Sequence, residues 1–352
     1  MNWNPTQWAL RNASRLNPLD RRRTSQLTWN SVAPCPDARA EAASVRVGRA
    51  LFVIGGYHDI DHVLDVVDVL DLSTATWLFP RLKMPDRMAN THLGVASDGQ
   101  RYGYIVAGQK GPQCHPAVPD VFVLDAQLRT WSDFPPLPEA RYSPTAQLWQ
   151  GRLHALGGSK EDRCTPATEH WSIAVNDGKA VERTWRQEAP IPRGGPHRSS
   201  AVLNGKLYVF GGEEGDVRPH AGDPEFTCDW STPLEVVYGD TFVLDSHADA
   251  WRQVASMPLP TTHTESCATI DDHFAILAGG NRNRRALSDA IQIYDADVDS
   301  WRVIERLPTC MKTCAAYYDG WLYLVTGQRS HSPTDLAPGD VLDSVWRTRF
   351  QT

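Results

Sequence analysis

Six times along the 352-residue chain, a short apolar run ends in a glycine pair or in one glycine with a small partner. The runs are "LFVIGGY" (51–57), "YGYIVAGQ" (102–109), "RLHALGGS" (152–159), "KLYVFGGE" (206–213), "FAILAGGN" (274–281) and "LYLVTGQ" (322–328). Most are followed by a segment that alternates apolar and polar residues and stops at Leu-Asp or Tyr-Asp: "VVDVLDLS", "DVFVLDAQ", "DTFVLDSH" and "AIQIYDAD". A tryptophan comes next, at Trp77, Trp131, Trp185, Trp251 and Trp301, and then a Pro-containing turn. Alternation of period two bounded by Gly, Pro and Asp predicts antiparallel strands, about four short ones per unit. One such sheet cannot cover both of its faces. Sheets packed radially against their neighbours can.

The glycine pairs recur 47 to 68 residues apart, and with the Leu-Asp and Trp positions they resemble the kelch-repeat family. The resemblance covers about residues 24 to 350. It implies an all-β fold, a six-bladed kelch-type β-propeller. The third unit departs most, with "HWSIAVNDG" in place of the Tyr-Asp ending. The stretches "AGQKGPQC", "GGSKEDR", "EHWSIAV" and "IPRGGPHR" also resemble a group of plant standalone kelch-repeat proteins, a likeness that implies no particular activity. The last unit stops after "VLDSVWRTRF" without its tryptophan strand, while "TSQLTWNSVAP" supplies Trp29 with no unit before it. Pairing the two lets the N-terminal strand complete the sixth blade and removes both open edges. Residues 1–23 are then an extension ahead of a single propeller at 24–350. Trp29 and the five repeat tryptophans are expected to be packing residues.

With 41% hydrophobic and 22% charged residues, the chain is expected to fold rather than stay disordered. A net charge of -7 argues against a general nucleic-acid binder, and no apolar run is long enough to span a membrane. The N-terminus lacks the apolar core of a secretory signal, so cytoplasmic residence is the default expectation, and a monomer is expected. Seven cysteines without zinc-finger spacing fit reduced thiols.

In a kelch blade, the turn into the innermost strand and the loop after the glycine pair open on the same end of the ring. By this resemblance one end collects Arg39 and Glu41, Arg87 and His92, Arg141 and Tyr142, Arg193, His197 and Arg198, His263 and Glu265, and Lys312. The loops after the glycines add His58, Gln109, Lys160, Glu213, Glu214, Arg282, Gln328 and Arg329 among others. The opposite end carries "DLSTAT", "DAQLRT", "DSHADA" and "DADVDS", whose short polar residues suit hairpin turns. Singly, the ionisable groups suit hydrogen bonds between blades. Together they suit an anionic ligand, since Arg grips carboxylates with two N–H groups and His with a carboxylate moves protons near neutral pH.

Two functions follow. The first is cofactor-free acid/base chemistry of the epimerase, mutarotase, lyase or cyclase type on a small polar or anionic molecule, for which the sialic-acid mutarotases offer an analogy among kelch propellers. Here His197, His263, Glu265 and Lys312 are the acid–base candidates. Arg87, His92, Arg141, Tyr142, Arg193, Arg198, Arg282, Gln328 and Arg329 would hold the ligand. The second is a protein-interaction module that binds an acidic peptide segment at the same mouth, as kelch rings do elsewhere. A deep channel of roughly a few hundred cubic ångströms favours the first and a shallow bowl the second. No nucleotide cofactor is expected, because GxGxxG and P-loop patterns are missing. No metal is assigned either: "HDIDH" offers His58 and His62, but a loop imposes no common face on them. Cys310 beside Lys312 is the candidate thiolate. The long segment 213–237, with Phe226 and Trp230, is read as a lid over the mouth or a surface insertion.

Overall fold

The computed structural model describes residues 27–59, 62–112, 115–215, 218–219, 228–229, 236–264, 266–282, 287–308, 312–329 and 340–351. They form six antiparallel blades in chain order and two two-stranded ribbons. One ribbon pairs Tyr57–Asp59 with His62–Val63, which carries His58 and His62 on paired strands and not on a loop, and the other pairs Arg218–Pro219 with Cys228–Asp229. Blade 1 runs from its inner strand Ala43–Val47 through Ala50–Ile54 and Val66–Asp71 to the outer Thr76–Lys83. Blade 2 is Gly94–Ser97, Tyr102–Gln109, Ala117–Asp125 and Thr130–Phe134. Blade 3 has Thr145–Trp149, Arg152–Leu156 and His170–Asn176, with the short Lys179–Ala180 and Arg186–Gln187 both pairing on the third strand. Blade 4 is Ser199–Leu203, Lys206–Phe210, Thr241–Leu244 and Arg252–Gln253, and blade 5 is Ala268–Ile270, Phe274–Ala278, Ala290–Asp295 and Ser300–Arg306.

Blade 6 closes the ring. Its strands Lys312–Tyr318, Trp321–Arg329 and Asp340–Arg349 are completed by the N-terminal Asn30–Ser31, which pairs with Arg347 and Trp346. The fold is the six-bladed β-propeller that the repeat pattern implies.

Each sheet buries one face against each neighbour, so the core is six clusters, one between every pair of adjacent blades. Phe52, Ile54 and Val69 of blade 1 meet Leu93, Ile105 and Phe122 of blade 2. At the ring closure Leu51, Val53 and Leu70 meet Tyr323, Val325 and Val345. The six tryptophans act as expected and also as pegs. Every indole N–H donates to a main-chain carbonyl of the preceding blade: Trp77 to Ala33, Trp131 to Lys83, Trp185 to Pro135, Trp251 to Ala189, Trp301 to Ala255 and Trp29 to Arg306, at 2.8–3.3 Å.

The glycine pairs sit in the left-handed region at both positions, where a Cβ is disfavoured. Ala107 (φ 53°) and Thr326 (φ 55°) take the first position in blades 2 and 6, and glycine holds the second in all six blades. At the far end the turn aspartates cap their own hairpins, as with Asp71 accepting from the Ser73 amide at 2.9 Å and Asp295 from the Asp297 amide at 3.0 Å. Among the described residues no helix is long and apolar enough to cross a membrane.

Candidate functional site

Just before four of the six inner strands the chain makes one antiparallel bridge to the segment that follows the glycine pair: Ala40 to Tyr57, Thr91 to Gln109, Tyr142 to Ser159 and Thr262 to Asn281. In blade 4 the Glu213 amide donates to the Pro196 carbonyl at 3.3 Å. A single residue must then turn the chain into the inner strand. That residue is Glu41, His92, Ser143, His197 or His263, and all five have φ between 45° and 58°. For non-glycine residues this costs about 1–2 kcal/mol each, and repeated strain of this kind marks a constrained site.

The five turning residues converge at the loop end of the axis. The His197 and His263 rings stack with centroids 3.7 Å apart, and His92 lies edge-on to His197 at 5.3 Å. Glu41 faces two imidazoles, with Oε1 3.7 Å from His263 Nε2 and Oε2 3.8 Å from His92 Nε2. Glu213 Oε1 lies 3.9 Å from His197 Nε2. Ser143 Oγ accepts the His197 amide and contacts Nδ1 of the same ring, each at 3.1 Å. Tyr142 packs against His92 at 4.4 Å. All of these side chains are buried. The cavity beside them, lined by Glu41, His92, His263, Thr313 and Cys314, holds about 30 Å³. That is room for one water or one ion. Toward the opposite face the channel widens to about 190 Å³ between hydroxyl-rich inner strands, with Ser44, Ser97, Ser200 and Thr269 among its walls.

The structure therefore brings His92, Tyr142, His197 and His263 into one hub. It places the sequence-assigned cations elsewhere on the same end. Arg87 is exposed and bonded to Asp120 and Asp133 at 2.8 and 2.9 Å. Arg141 is buried over the Trp171 ring and paired with Glu139 and Glu169 at 3.0 Å. Arg329 pairs with Asp340 at 2.5 Å, Gln328 is buried beside it, and Arg282 is exposed. Arg193 donates to Asp240 at 2.6 Å and lies over the Tyr238 ring at 4.6 Å. Beneath it Arg198 faces the same ring at 5.3 Å, and burial lowers its pKa to about 10, so it stays a cation at neutral pH.

Two surface histidines stand apart from the hub. His62 is bonded to Asp59 at 2.7 Å, and His58 reaches the Ala38 carbonyl at 3.4 Å. Cys35, Cys164, Cys267 and Cys314 carry thiols, and burial pushes Cys35 and Cys267 up to about 12, away from thiolate character. Glu265, Cys310, Phe226, Trp230 and the side chain of Lys312 lie outside the described residues.

Sequence reasoning did not assign Ser143, Arg163 or Tyr238 to the site, and it left Glu41 without a role. Arg163 is fully buried and joins two blades by donating to Gln109 Oε1 at 2.8 Å and to the Tyr142 hydroxyl at 2.7 Å. Aligning the six repeats on the residue before each inner strand would have singled out Glu41 and Ser143 beside the three histidines.

Residues 38–79 match the family model for the Kelch motif. A kelch repeat-containing protein of Arabidopsis thaliana is 41% identical over 93% of this chain and 77% of its own length. Kelch-like protein 23 of Homo sapiens is 23% identical over 86% of this chain, and the kelch repeat and BTB domain-containing protein 1 of horsepox virus is 21% identical over 78%. The chain spans 56% and 43% of those two proteins, about half of each. With six glycine-pair blades, an N-terminal strand closing the ring and a relative 41% identical over 93% of this chain, the chain belongs to the kelch-repeat family.

Proposed function

We propose that the propeller recognises carboxylates at blade 4 of its loop face, and that an acidic segment of a partner protein presents them. One observation carries this reading. The Arg198 side chain is buried, and its Nε and Nη1 have no hydrogen-bond partner among the described residues. Leaving buried donors unmet costs about 1–3 kcal/mol each, more on a charged group. Nε and Nη1 lie on different edges of the guanidinium and are closed from solvent, so a partner's carboxylate is drawn by this buried charge and gripped by its exposed neighbour. Arg193 stands over the same Tyr238 ring with its side chain half exposed, and Asp240 is the carboxylate bonded to it. Two cations thus surround one anion, an arrangement that favours a second.

A protein segment suits the site better than a small acid because the hub fills the axis. A cavity of about 30 Å³ cannot hold a sugar acid beside His197 and His263. Acid/base chemistry on a small acid remains the second reading, favoured by the meeting of those two imidazoles.

The test is affinity selection of short random peptides on the purified protein. Enriched sequences are expected to be rich in Asp and Glu and to bind more weakly as salt is raised. Arg193→Glu is expected to weaken them at least about tenfold, which is ~1.4 kcal/mol. Enrichment without acidic residues, or indifference to Arg193→Glu, would sink the proposal. Stabilisation by glucuronate or N-acetylneuraminate that disappears in Arg193→Ala would shift the conclusion to the small-molecule reading.

A further inference from the structure

We infer that the hub is a binding site for one divalent transition-metal ion, held by Glu41, His197 and His263. Each of these residues offers a ligand atom, and the three atoms lie within 4.8 Å of one another. They come from blades 1, 4 and 5, so the convergence is made by the ring and not by any local motif. Two imidazoles and a carboxylate form a donor set that suits Zn(II), Fe(II), Ni(II) or Cu(II).

The geometry is close to what such an ion needs. With metal–ligand bonds of about 2.0–2.2 Å, tetrahedral ligand atoms stand ~3.4 Å apart. Glu41 Oε1 and His263 Nε2 are 3.7 Å apart. The stacked rings require one change. Their lone pairs lie in parallel planes, so one imidazole must turn about its ring torsion to aim at the same point as the other. The neighbouring cavity of about 30 Å³ accommodates the ion's remaining ligand, a water.

The supporting contacts suit ligation. Ser143 Oγ holds His197 Nδ1 at 3.1 Å and so fixes the ring with Nε2 on the side of Glu213. A hydroxyl both donates and accepts, so it accommodates either tautomer, including the one with Nδ1 protonated that ligation through Nε2 requires. His92 braces the other carboxylate oxygen from 3.8 Å, and its own Nδ1 is engaged by Thr91 Oγ1 at 2.9 Å. The left-handed backbone at positions 41, 197 and 263 is what delivers these side chains to the axis. An ion here would tie blades 1, 4 and 5 together across the channel.

The site does not depend on the carboxylate reading at blade 4. It is tested by stripping the full chain with a chelator and titrating Zn²⁺ against a competing chromophoric chelator near neutral pH. One equivalent per chain is expected, with Co²⁺ substitution giving visible d–d absorption. Affinity is expected to fall as pH drops, because the imidazoles must be neutral to bind. Glu41→Gln and His263→Gln are each expected to weaken binding at least about tenfold. The His58→Ala/His62→Ala double variant, altered only at exposed positions, is expected to bind as the parent does. Substoichiometric uptake by the parent would overturn the inference, and so would loss of binding in the surface double variant. That variant keeps the test decisive if the hub substitutions fail to fold.

Discussion

His154 and His170 face each other inside blade 3, with Nδ1 of one 2.7 Å from Nε2 of the other. The outer nitrogens point at the Trp149 carbonyl at 3.3 Å and the Ala189 carbonyl at 3.1 Å. Three contacts each call for a proton, while two neutral rings supply only two, so one of the three is left unbonded. Burial, the largest influence on both, lowers His154 to about 3 and His170 to about 4. The sign follows from linkage. Between about pH 6.5 and pH 4 the unfolded chain binds protons that the folded chain refuses, so stability is lost as pH falls through that window. Each imidazole contributes a loss of about 1.4 kcal/mol per pH unit. Urea midpoints are expected to drop steeply from pH 7 to pH 5, and His154→Gln is expected to flatten the dependence. A slope unchanged by that substitution would place the sensitivity elsewhere. The glycine pairs allow a second prediction at this scale. A Cβ on Gly158 would sit 2.6 Å from the Tyr142 carbonyl oxygen, whereas on Gly157 it would meet the movable Ile191 Cδ1 at 2.8 Å. Gly158→Ala is expected to cost about 3 kcal/mol or more and Gly157→Ala about 1 kcal/mol, read from the same midpoints.

At the scale of the element, the tryptophan peg is the recurring device. Trp185 is buried against Phe134, and its indole N–H reaches the Pro135 carbonyl of blade 2 at 3.0 Å. Trp185→Phe keeps most of the packing and loses the hydrogen bond, for about 1 kcal/mol. Trp185→Ala also opens a cavity between blades 2 and 3, for about 3–5 kcal/mol. Equal effects of the two would mean that the bond and not the ring carries the contact. The closure strand is tested through Val32, whose amide donates to the Val345 carbonyl at 3.0 Å. Val32→Pro removes that donor. Faster amide exchange is expected along Asp340–Arg349 with blade 3 unaffected, and uniform loosening of all blades would contradict a seam located there.

Across the whole molecule, the features readable in the sequence were those that recur. Glycine pairs, Asp turns and tryptophans appear in nearly every repeat because every blade solves the same packing problem, so architecture and closure followed from them. The site was readable only by position. His92, His197 and His263 were recognisable as axial because they share a slot before the inner strand. The acids opposite the rim arginines were not, because each comes from a segment well along the chain, as Arg87 with Asp120 and Asp133 and Arg193 with Asp240 show. Burial of Arg198 was equally hidden, since "PHRSS" gives no sign that Tyr238 and Phe242 close over it. The proposed docking of an acidic partner segment is placed on the loop face at blade 4 and not on the turn face. Hydrogen exchange of the protein with and without a selected acidic peptide tests it most directly. Protection is predicted at 191–198 and 238–242, around Arg193, Arg198 and Tyr238. Protection confined to the turns around Asp71, Asp125 and Asp295 at the far end would contradict it.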